Sequence, residues 1–207
     1  MKKIFKILAV LFVILLLIAL PFVPMLVELL TARTGAITDV REGDVIFHTS
    51  KSDQSSLIQI GTRSKISHCG IVVMKGDRPY VLETRKTLVV TPLDEFIARG
   101  EEGRYWHKRS GVENIKIRYS NYLGKPYDRA FRFDNDIYYC SELVYDIYKN
   151  QLGIELCEPR KVDDYLIPGV GMIPKVKKAM EERGISLEQY AVAPVDVFNS
   201  DFLEDVE

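Results

Sequence analysis

The chain has 207 residues, of which 47% are hydrophobic and 28% charged, and its formal net charge is −1. This composition predicts one globular domain with an apolar leader and requires no second core. Because Lys and Arg are scattered and create no basic field, nucleic acid is not expected as a partner.

The first thirty residues predict a segment that enters a membrane. Lysines at positions 2, 3 and 6 precede a run of 21 uncharged residues from Ile7 to Val27. That run approaches the roughly 20 residues needed to span a bilayer, and the lysines place the rest of the chain outside the cytoplasm. We expect residues 1–30 to form a signal-anchor or a cleavable signal peptide, with Thr34-Gly35-Ala36 as the best cleavage site. Residues 31–207 would then form the domain.

After the leader, short strands alternate with short helices. Runs of β-branched and aromatic residues predict strands at residues 45–48, 66–74, 80–84, 88–90 and 104–109. Apolar periodicity and capping residues predict helices at residues 57–61, 92–98, 112–123, 140–152 and 174–183. A Pro/Gly-rich connection at residues 167–171 and an acidic tail at residues 201–207, expected to fray, complete an α+β domain.

The helix that begins at Cys140 supplies a candidate nucleophile. Leu143, Val144 and Ile147 follow Cys140 at helical spacing, and Gly153 stands where the helix should stop. Unpaired N–H groups and the positive end of the helix dipole favour a thiolate at this position. The helix taken alone fits a buried core cysteine better, because Cys is among the most buried residue types. Residues earlier in the sequence make a nucleophilic role for Cys140 more favourable.

A nucleophilic thiol needs a base, and the base needs a polar group to orient it. His68 begins a stiff, uncharged strand and is the best base available. Glu83 lies in an otherwise apolar strand, where a carboxylate should have a partner. It shares the face of His68 only if the hairpin register pairs it with Gly70 or Val72 rather than Ile71.

His48 and Asp128 are alternative orienting groups. The cysteines, three in number, leave at least one thiol free in an exported protein. A disulfide between Cys69 and Cys157 would leave Cys140 as that thiol. No Cys-x-x-Cys or His-x-x-x-His spacing brings ligands together among the cysteines and the histidines, which are His48, His68 and His107. No metal site and no cofactor are expected.

Five separated stretches carry a family resemblance. They are Gly43-Asp44-Val45-Ile46-Phe47, Ser67-His68-Cys69-Gly70-Ile71-Val72, Glu83 with Thr91-Pro92-Leu93-Asp94-Glu95-Phe96, Gly124-Lys125-Pro126-Tyr127-Asp128, and Tyr139-Cys140-Ser141-Glu142-Leu143-Val144. Their order resembles the permuted papain-like cysteine hydrolases of the YiiX/YebB-like group, within the NlpC-type superfamily. The resemblance covers about residues 41–175.

This resemblance implies a circularly permuted papain-like fold, with an antiparallel sheet packed against the nucleophile helix and an N-terminal apolar helix before it. It implies Cys140 as nucleophile, His68 as base and Glu83 as orienting residue. Cys69 is expected to point to the other face of its strand and to serve packing rather than catalysis. Three aromatic residues are tentative substrate-binding groups: Tyr127, Tyr138 and Tyr139.

The implied activity is hydrolysis of an amide through a thioester acyl-enzyme. The substrate would be a small amide or peptide, such as a cell-wall peptide stem, and the domain would lie in a bacterial-type cell envelope, anchored, or periplasmic or secreted after cleavage. Two alternatives stay open: a lipid acyl hydrolase or acyltransferase that uses the same site, and a catalytically inactive interaction domain. The oligomeric state is open.

Overall fold

The computed structural model describes residues 2–166 and 174–206. The helices are α1 (Lys2–Ala19), α2 (Val23–Thr31), α3 (Ser55–Thr62), α4 (Leu93–Ala98), α5 (Cys140–Ile147), α6 (Val162–Tyr165), α7 (Pro174–Glu181) and α8 (Pro194–Phe198). The strands are β1 (Val45–His48), β2 (His68–Lys75), β3 (Arg78–Thr84), β4 (Leu88–Pro92), β5 (Trp106–Ser110), β6 (Arg160–Lys161), β7 (Tyr190–Ala191) and β8 (Leu203–Asp205). The expected connection at residues 167–171 lies outside the described residues.

The main sheet is antiparallel and has the strand order β4-β3-β2-β1-β5-β8. On one face, Leu143 and Ile147 of α5 join Phe47 and Ile71 in the main core. On the opposite face, Phe96 of α4 belongs to a second apolar cluster. The two faces follow from the alternation of side chains along each strand. The predicted antiparallel sheet packed against the Cys140 helix is therefore confirmed.

The leader is divided into two helices. α1 ends at Ala19, a single 3₁₀ turn spans Leu20–Phe22, and α2 begins at Val23. The uncharged run from Ile7 to Val27 is therefore not one continuous helix. Among residues 2–166 and 174–206, the helices include none that is both long enough and apolar enough to cross a membrane.

Glu28 attaches α2 to the domain. Its buried carboxylate accepts hydrogen bonds from the Ser64 hydroxyl at 2.7 Å and from the Lys65 N–H at 2.6 Å. The indole N–H of Trp106 donates to the Glu28 carbonyl at 3.0 Å. Burial raises the pKa of Glu28, and the hydrogen bonds from Lys65 and Ser64 to its carboxylate partly offset the rise. The leader and the sheet therefore share buried polar contacts.

The predicted helix over residues 112–123 is wrong. Ile115, Ile117 and Tyr119 pack against the core at steps of two residues, which is the period of extended chain. The N–H of Ile117 donates to the Glu42 carboxylate at 2.7 Å and not to a helical carbonyl. Contacts with the core thus decide the conformation of this segment, because its apolar residues fit both the helical period and the two-residue period of extended chain.

Two boundaries also differ from expectation. The tail does not simply fray, because β8 pairs with β5 and Leu203, at 4% exposure, lies in the core. The helix predicted from residue 92 begins one residue later, at Leu93, because Thr91 and Pro92 belong to β4 and Pro92 is the residue before α4. Thr91 instead pairs with Val81 across the sheet.

A methyl group at Gly70 should destabilise the fold. It would lie 2.4 Å from Val81 Cγ1 and 2.8 Å from the Leu82 carbonyl oxygen, so two strands would have to move apart. We expect Gly70→Ala to lower the free energy of unfolding by about 1–3 kcal/mol in urea denaturation. Gly111→Ala is the matched control, because nothing lies within 4 Å of the added methyl group there. Equal stability of the two variants would contradict the packing described here.

Candidate active site

The hairpin register brings Glu83 to the face of His68. Ile71 pairs with Leu82, and the register continued by one residue sets Glu83 opposite Gly70. His68 Nε2 lies 2.9 Å from Glu83 Oε2. The nitrogen left available on the imidazole is therefore Nδ1. Its role as base, and the role of Glu83 as orienting group, remain predictions.

Glu83 has no solvent exposure and is held by three donors. Besides His68, the Thr91 hydroxyl donates to Oε1 at 2.5 Å, and the Arg99 guanidinium donates to the same oxygen. Burial alone would raise the pKa of Glu83, but the His68 and Thr91 hydrogen bonds and the Arg99 charge outweigh it and lower the pKa. The carboxylate is therefore ionised. The sequence reasoning missed Arg99, although a carboxylate in an apolar strand indicates that a cation is nearby.

Cys140 is the first residue of α5 and is 1% exposed. Hydrogen bonds from the Cys69 thiol and from His68 lower its pKa well below the usual value, although burial opposes the shift. Burial likewise disfavours charged His68, but its contacts with Cys140 and Glu83 prevail and raise its pKa to about 9. Across the neutral range the pair is therefore a thiolate facing an imidazolium.

Cys69 packs in the core, as expected, and also lies beside the candidate nucleophile; that it takes no part in catalysis stays a prediction. It does point to the face of β2 opposite His68, but that face carries α5, and α5 begins with Cys140. Burial and the neighbouring Cys140 charge raise the pKa of Cys69 well above its usual value, so its neutral S–H group donates. Cys69 and Cys157 are free thiols and form no disulfide.

The start of α5 is fixed by polar contacts on both sides. The Ser141 hydroxyl donates to the Val192 carbonyl at 2.7 Å, and the Val192 N–H donates to the Tyr139 hydroxyl at 2.9 Å. Glu142, in the first turn, accepts the Asp134 N–H at 2.8 Å. Burial raises the pKa of Glu142 to about 8. These contacts hold the backbone that carries Cys140.

The alternative orienting groups lie elsewhere in the hydrogen-bond network. His48 is directly opposite His68, with ring centroids 5.1 Å apart, but neither of its ring nitrogens has a hydrogen-bond partner among the described residues. Burial, followed by the His68 charge, lowers its pKa, so it is neutral. The Asp128 carboxylate accepts N–H groups of Ala130 and Arg132, at 2.9 and 2.8 Å, and thereby orders its own loop.

The predicted tyrosines fall on different sides of Cys140. Tyr127 lines a cleft with His68, and burial followed by the nearby Cys140 raises its phenol pKa. Tyr139 lines a cavity with Cys140. Tyr138 is not brought to the site, because successive residues of extended backbone point to opposite sides. It packs instead against Tyr122, with ring centroids 5.4 Å apart.

Two spaces adjoin these residues. A cleft of about 900 Å³ is lined by His68 and Glu83, and a smaller cavity of about 90 Å³ is lined by Cys140. In the described part of the chain, no group of three or more His, Cys, Asp or Glu side chains is arranged to hold a metal ion.

Comparison with known proteins identifies the family. The profile of the permuted papain-like amidase family, YaeF/YiiX or C92, matches residues 39–207. The uncharacterized protein YiiX of Escherichia coli K12 is 34% identical over 192 residues, which cover 88% of this chain and 93% of that protein. A crystal structure titled metalloprotein yiiX, from Escherichia coli O157:H7, aligns with a TM-score of 0.69 and 37% identity, covering 81% of this chain and 96% of that one. The chain therefore belongs to the permuted papain-like amidase family and is, in general kind, a cysteine hydrolase.

Proposed function

We propose that the protein is a cysteine amidase in which Cys140 is the nucleophile, His68 the general acid and base, and Glu83 the group that orients His68. The observation that carries this proposal is the 2.9 Å hydrogen bond between buried Glu83 and His68, together with the proximity of His68 to Cys140, which lowers the pKa of that thiol. Such an arrangement sets the tautomer of the base and supplies a thiolate at neutral pH. It also argues against a catalytically inactive interaction domain.

The first step forms a thioester. The Cys140 thiolate attacks the amide carbonyl carbon, forming an S–C bond, and the carbonyl oxygen becomes an oxyanion. The first N–H groups of α5, including that of Cys140, have no helical acceptor and are suited to stabilise this oxyanion. His68 then gives its proton to the amide nitrogen as the C–N bond breaks, and the amine leaves.

The second step returns the enzyme to its starting state. Neutral His68 takes a proton from water, whose oxygen attacks the thioester carbonyl. The S–C bond breaks, the carboxylic acid leaves, and the thiolate and imidazolium are restored. Glu83 stays ionised throughout, because its three donors remain in place. One amide and one water thus give one acid and one amine.

We also propose that the enzyme acts at the cell envelope. The support for this is the leader, in which large apolar side chains such as Phe5, Phe12 and Leu30 are 75%, 61% and 76% exposed. An apolar surface of this kind is suited to contact with lipid. Cleavage after the leader and hydrolysis of cell-wall peptides remain predictions.

The charge state of Cys140 can be measured by alkylation. We expect the rate with iodoacetamide to be nearly constant between pH 6 and 8, whereas an ordinary thiol reacts roughly 100-fold more slowly at pH 6. Cys140→Ala measures the background from the other thiols, of which Cys157 is suppressed because burial raises its pKa to about 12. A 100-fold fall in the Cys140 rate at pH 6 would exclude a stabilised thiolate.

Amide hydrolysis should depend on the three residues unequally. Cys140→Ala should abolish turnover, and His68→Ala should lower kcat/KM by about 10²–10⁴-fold because the leaving amine loses its proton donor. Glu83→Gln should retain some turnover but lose the Glu83 contribution to the raised His68 pKa, while the Cys140 contribution stays. The alkaline limb of kcat/KM, expected near pH 9 in the wild type, should then move to lower pH. Full activity of the His68 variant would remove the proposal.

A further inference from the structure

Tyr138 lines a pocket of about 370 Å³ that the proposed mechanism does not use. α5 contributes three residues to its wall: Glu142, Tyr145 and Asp146. Helical spacing places all three on the side of α5 opposite Cys140. Among the described residues, none is shared between this pocket and either the cleft of His68 or the cavity of Cys140. A ligand in this pocket would therefore lie apart from the thiol.

The pocket is anionic. Four carboxylates line it: Asp134, Asp136, Glu142 and Asp146. Burial, followed by the charges of these four groups, raises the pKa of the Tyr138 phenol to about 12. Lys149 is the one basic residue in the described wall, and it pairs with Glu155, which lies outside the wall. A cation entering the pocket would therefore be attracted by several carboxylates at once.

Glu142 provides a buried oxygen without a partner. Its side chain is 2% exposed, and Oε1 accepts the Asp134 N–H at 2.8 Å. The other oxygen, Oε2, is buried and has no hydrogen-bond partner among the residues that the structure describes. Buried polar atoms are nearly always paired, because leaving one unpaired is costly. A ligand that hydrogen-bonds to Oε2 would remove this cost.

The charge state of Glu142 also depends on the pocket. Burial raises its pKa to about 8, the nearby N–H groups of Asp134 and Tyr139 oppose the rise, and the charges of Asp128 and Asp146 add to it. Glu142 is therefore mostly protonated at pH 7, and a cation beside it would favour the ionised form. The titratable groups around it are Asp128, Asp134, Asp136, Tyr138 and Tyr139 on the preceding loop, and Tyr145, Asp146 and Lys149 on α5 and the turn after it.

Aromatic rings complete the wall of the pocket. They belong to Phe133, Tyr138 and Tyr145. Lysine ammonium groups already lie near two of them: Lys125 Nζ is 5.0 Å from the centre of the Tyr138 ring, and Lys149 Nζ is 5.5 Å from that of Tyr145. Aromatic faces attract cations and also pack against methylene groups. In the described part of the chain no set of His, Cys, Asp or Glu is arranged for a metal ion, so the wall fits an organic cation better.

We propose that this pocket binds an alkylammonium group, supplied by a small diamine or by a lysine side chain of a polypeptide. The ammonium donates to Glu142 Oε2 and lies among the other carboxylates, and its methylene groups pack against Phe133 and Tyr145. The site is independent of the proposed amidase function, because its residues take no part in the chemistry at Cys140. Failure of either proposal would therefore leave the other unaffected.

Calorimetric titration of the full chain, kept in a nonionic detergent, tests the ligand class. At low salt 1,5-diaminopentane should bind with a Kd of about 1 mM or below, and the uncharged 1,5-pentanediol at least about tenfold more weakly. Binding should weaken at about 0.5 M salt. A trilysine peptide that binds more tightly than the diamine assigns the site to a polypeptide, and the reverse assigns it to a small amine. Equal binding of the diol, or tighter binding of Ca²⁺, would overturn the proposal.

Substitutions locate the site. Asp134→Asn with Asp136→Asn removes two charges, and Asn tolerates the left-handed φ of 63° at position 134. The Kd of 1,5-diaminopentane should rise about tenfold. Asp77→Asn with Asp201→Asn is the matched control, because it removes two exposed carboxylates outside the pocket and should leave the Kd unchanged. Equal Kd values in the two double variants would place the diamine elsewhere and overturn the proposal.

Proton release is a readout that binding to surface carboxylates would not produce. At pH 7 the diamine should displace about one proton from Glu142, measured from the dependence of the binding heat on the ionisation enthalpy of the buffer, and its affinity should rise up to about tenfold between pH 7 and pH 9. Glu142→Gln matches the shape of the protonated acid, so it should fold, bind the diamine more weakly and release no proton. The same proton release in this variant as in the wild type would overturn the role of Glu142.

Discussion

The site depends on keeping one carboxylate ionised where no water reaches it. Glu83 achieves this with donors from three places: His68 at the start of β2, Thr91 in β4 and Arg99 just after α4. Removing a donor would leave a buried charge partly unpaired, which is far more costly than losing a surface ion pair. The same contacts that orient His68 therefore also hold the β2–β3 hairpin and α4 together.

The two faces of β2 contribute different neighbours to Cys140. His68 lies on one face, within the network of Glu83, and Cys69 lies on the other, within the core that packs against α5. His68 and Cys69 are adjacent at the start of β2, close to the first residue of α5. Although their side chains point to opposite faces of the strand, both therefore lie near the Cys140 sulfur. Packing of α5 and polarisation of the thiol are thus consequences of one contact.

Local patterns were sufficient for β1 and for the helix that starts at Cys140. A π-helical turn over Tyr148–Leu152 continues that helix to the predicted stop at Gly153, where a positive φ of 72° favours glycine. Local patterns were insufficient wherever residues distant in the sequence decide the conformation or the contacts of a segment. Residues 112–123 carry both periods, and contacts with the core select the extended form. The neighbours of Glu83 and the approach of Cys69 to Cys140 depend on strand register and helix placement, which no short stretch of sequence encodes.

The contacts of Glu28 give the leader a structural part in the domain. A processed chain that began after Ala36 would leave the Ser64 hydroxyl, the Lys65 N–H and the Trp106 indole without their acceptors. Water could replace these acceptors, so each lost hydrogen bond would cost about 0.5–1.5 kcal/mol net. Processing would therefore weaken the folded domain, and retention of the leader would keep the face that carries Cys140 and His68 at a fixed orientation to whatever surface α1 and α2 contact.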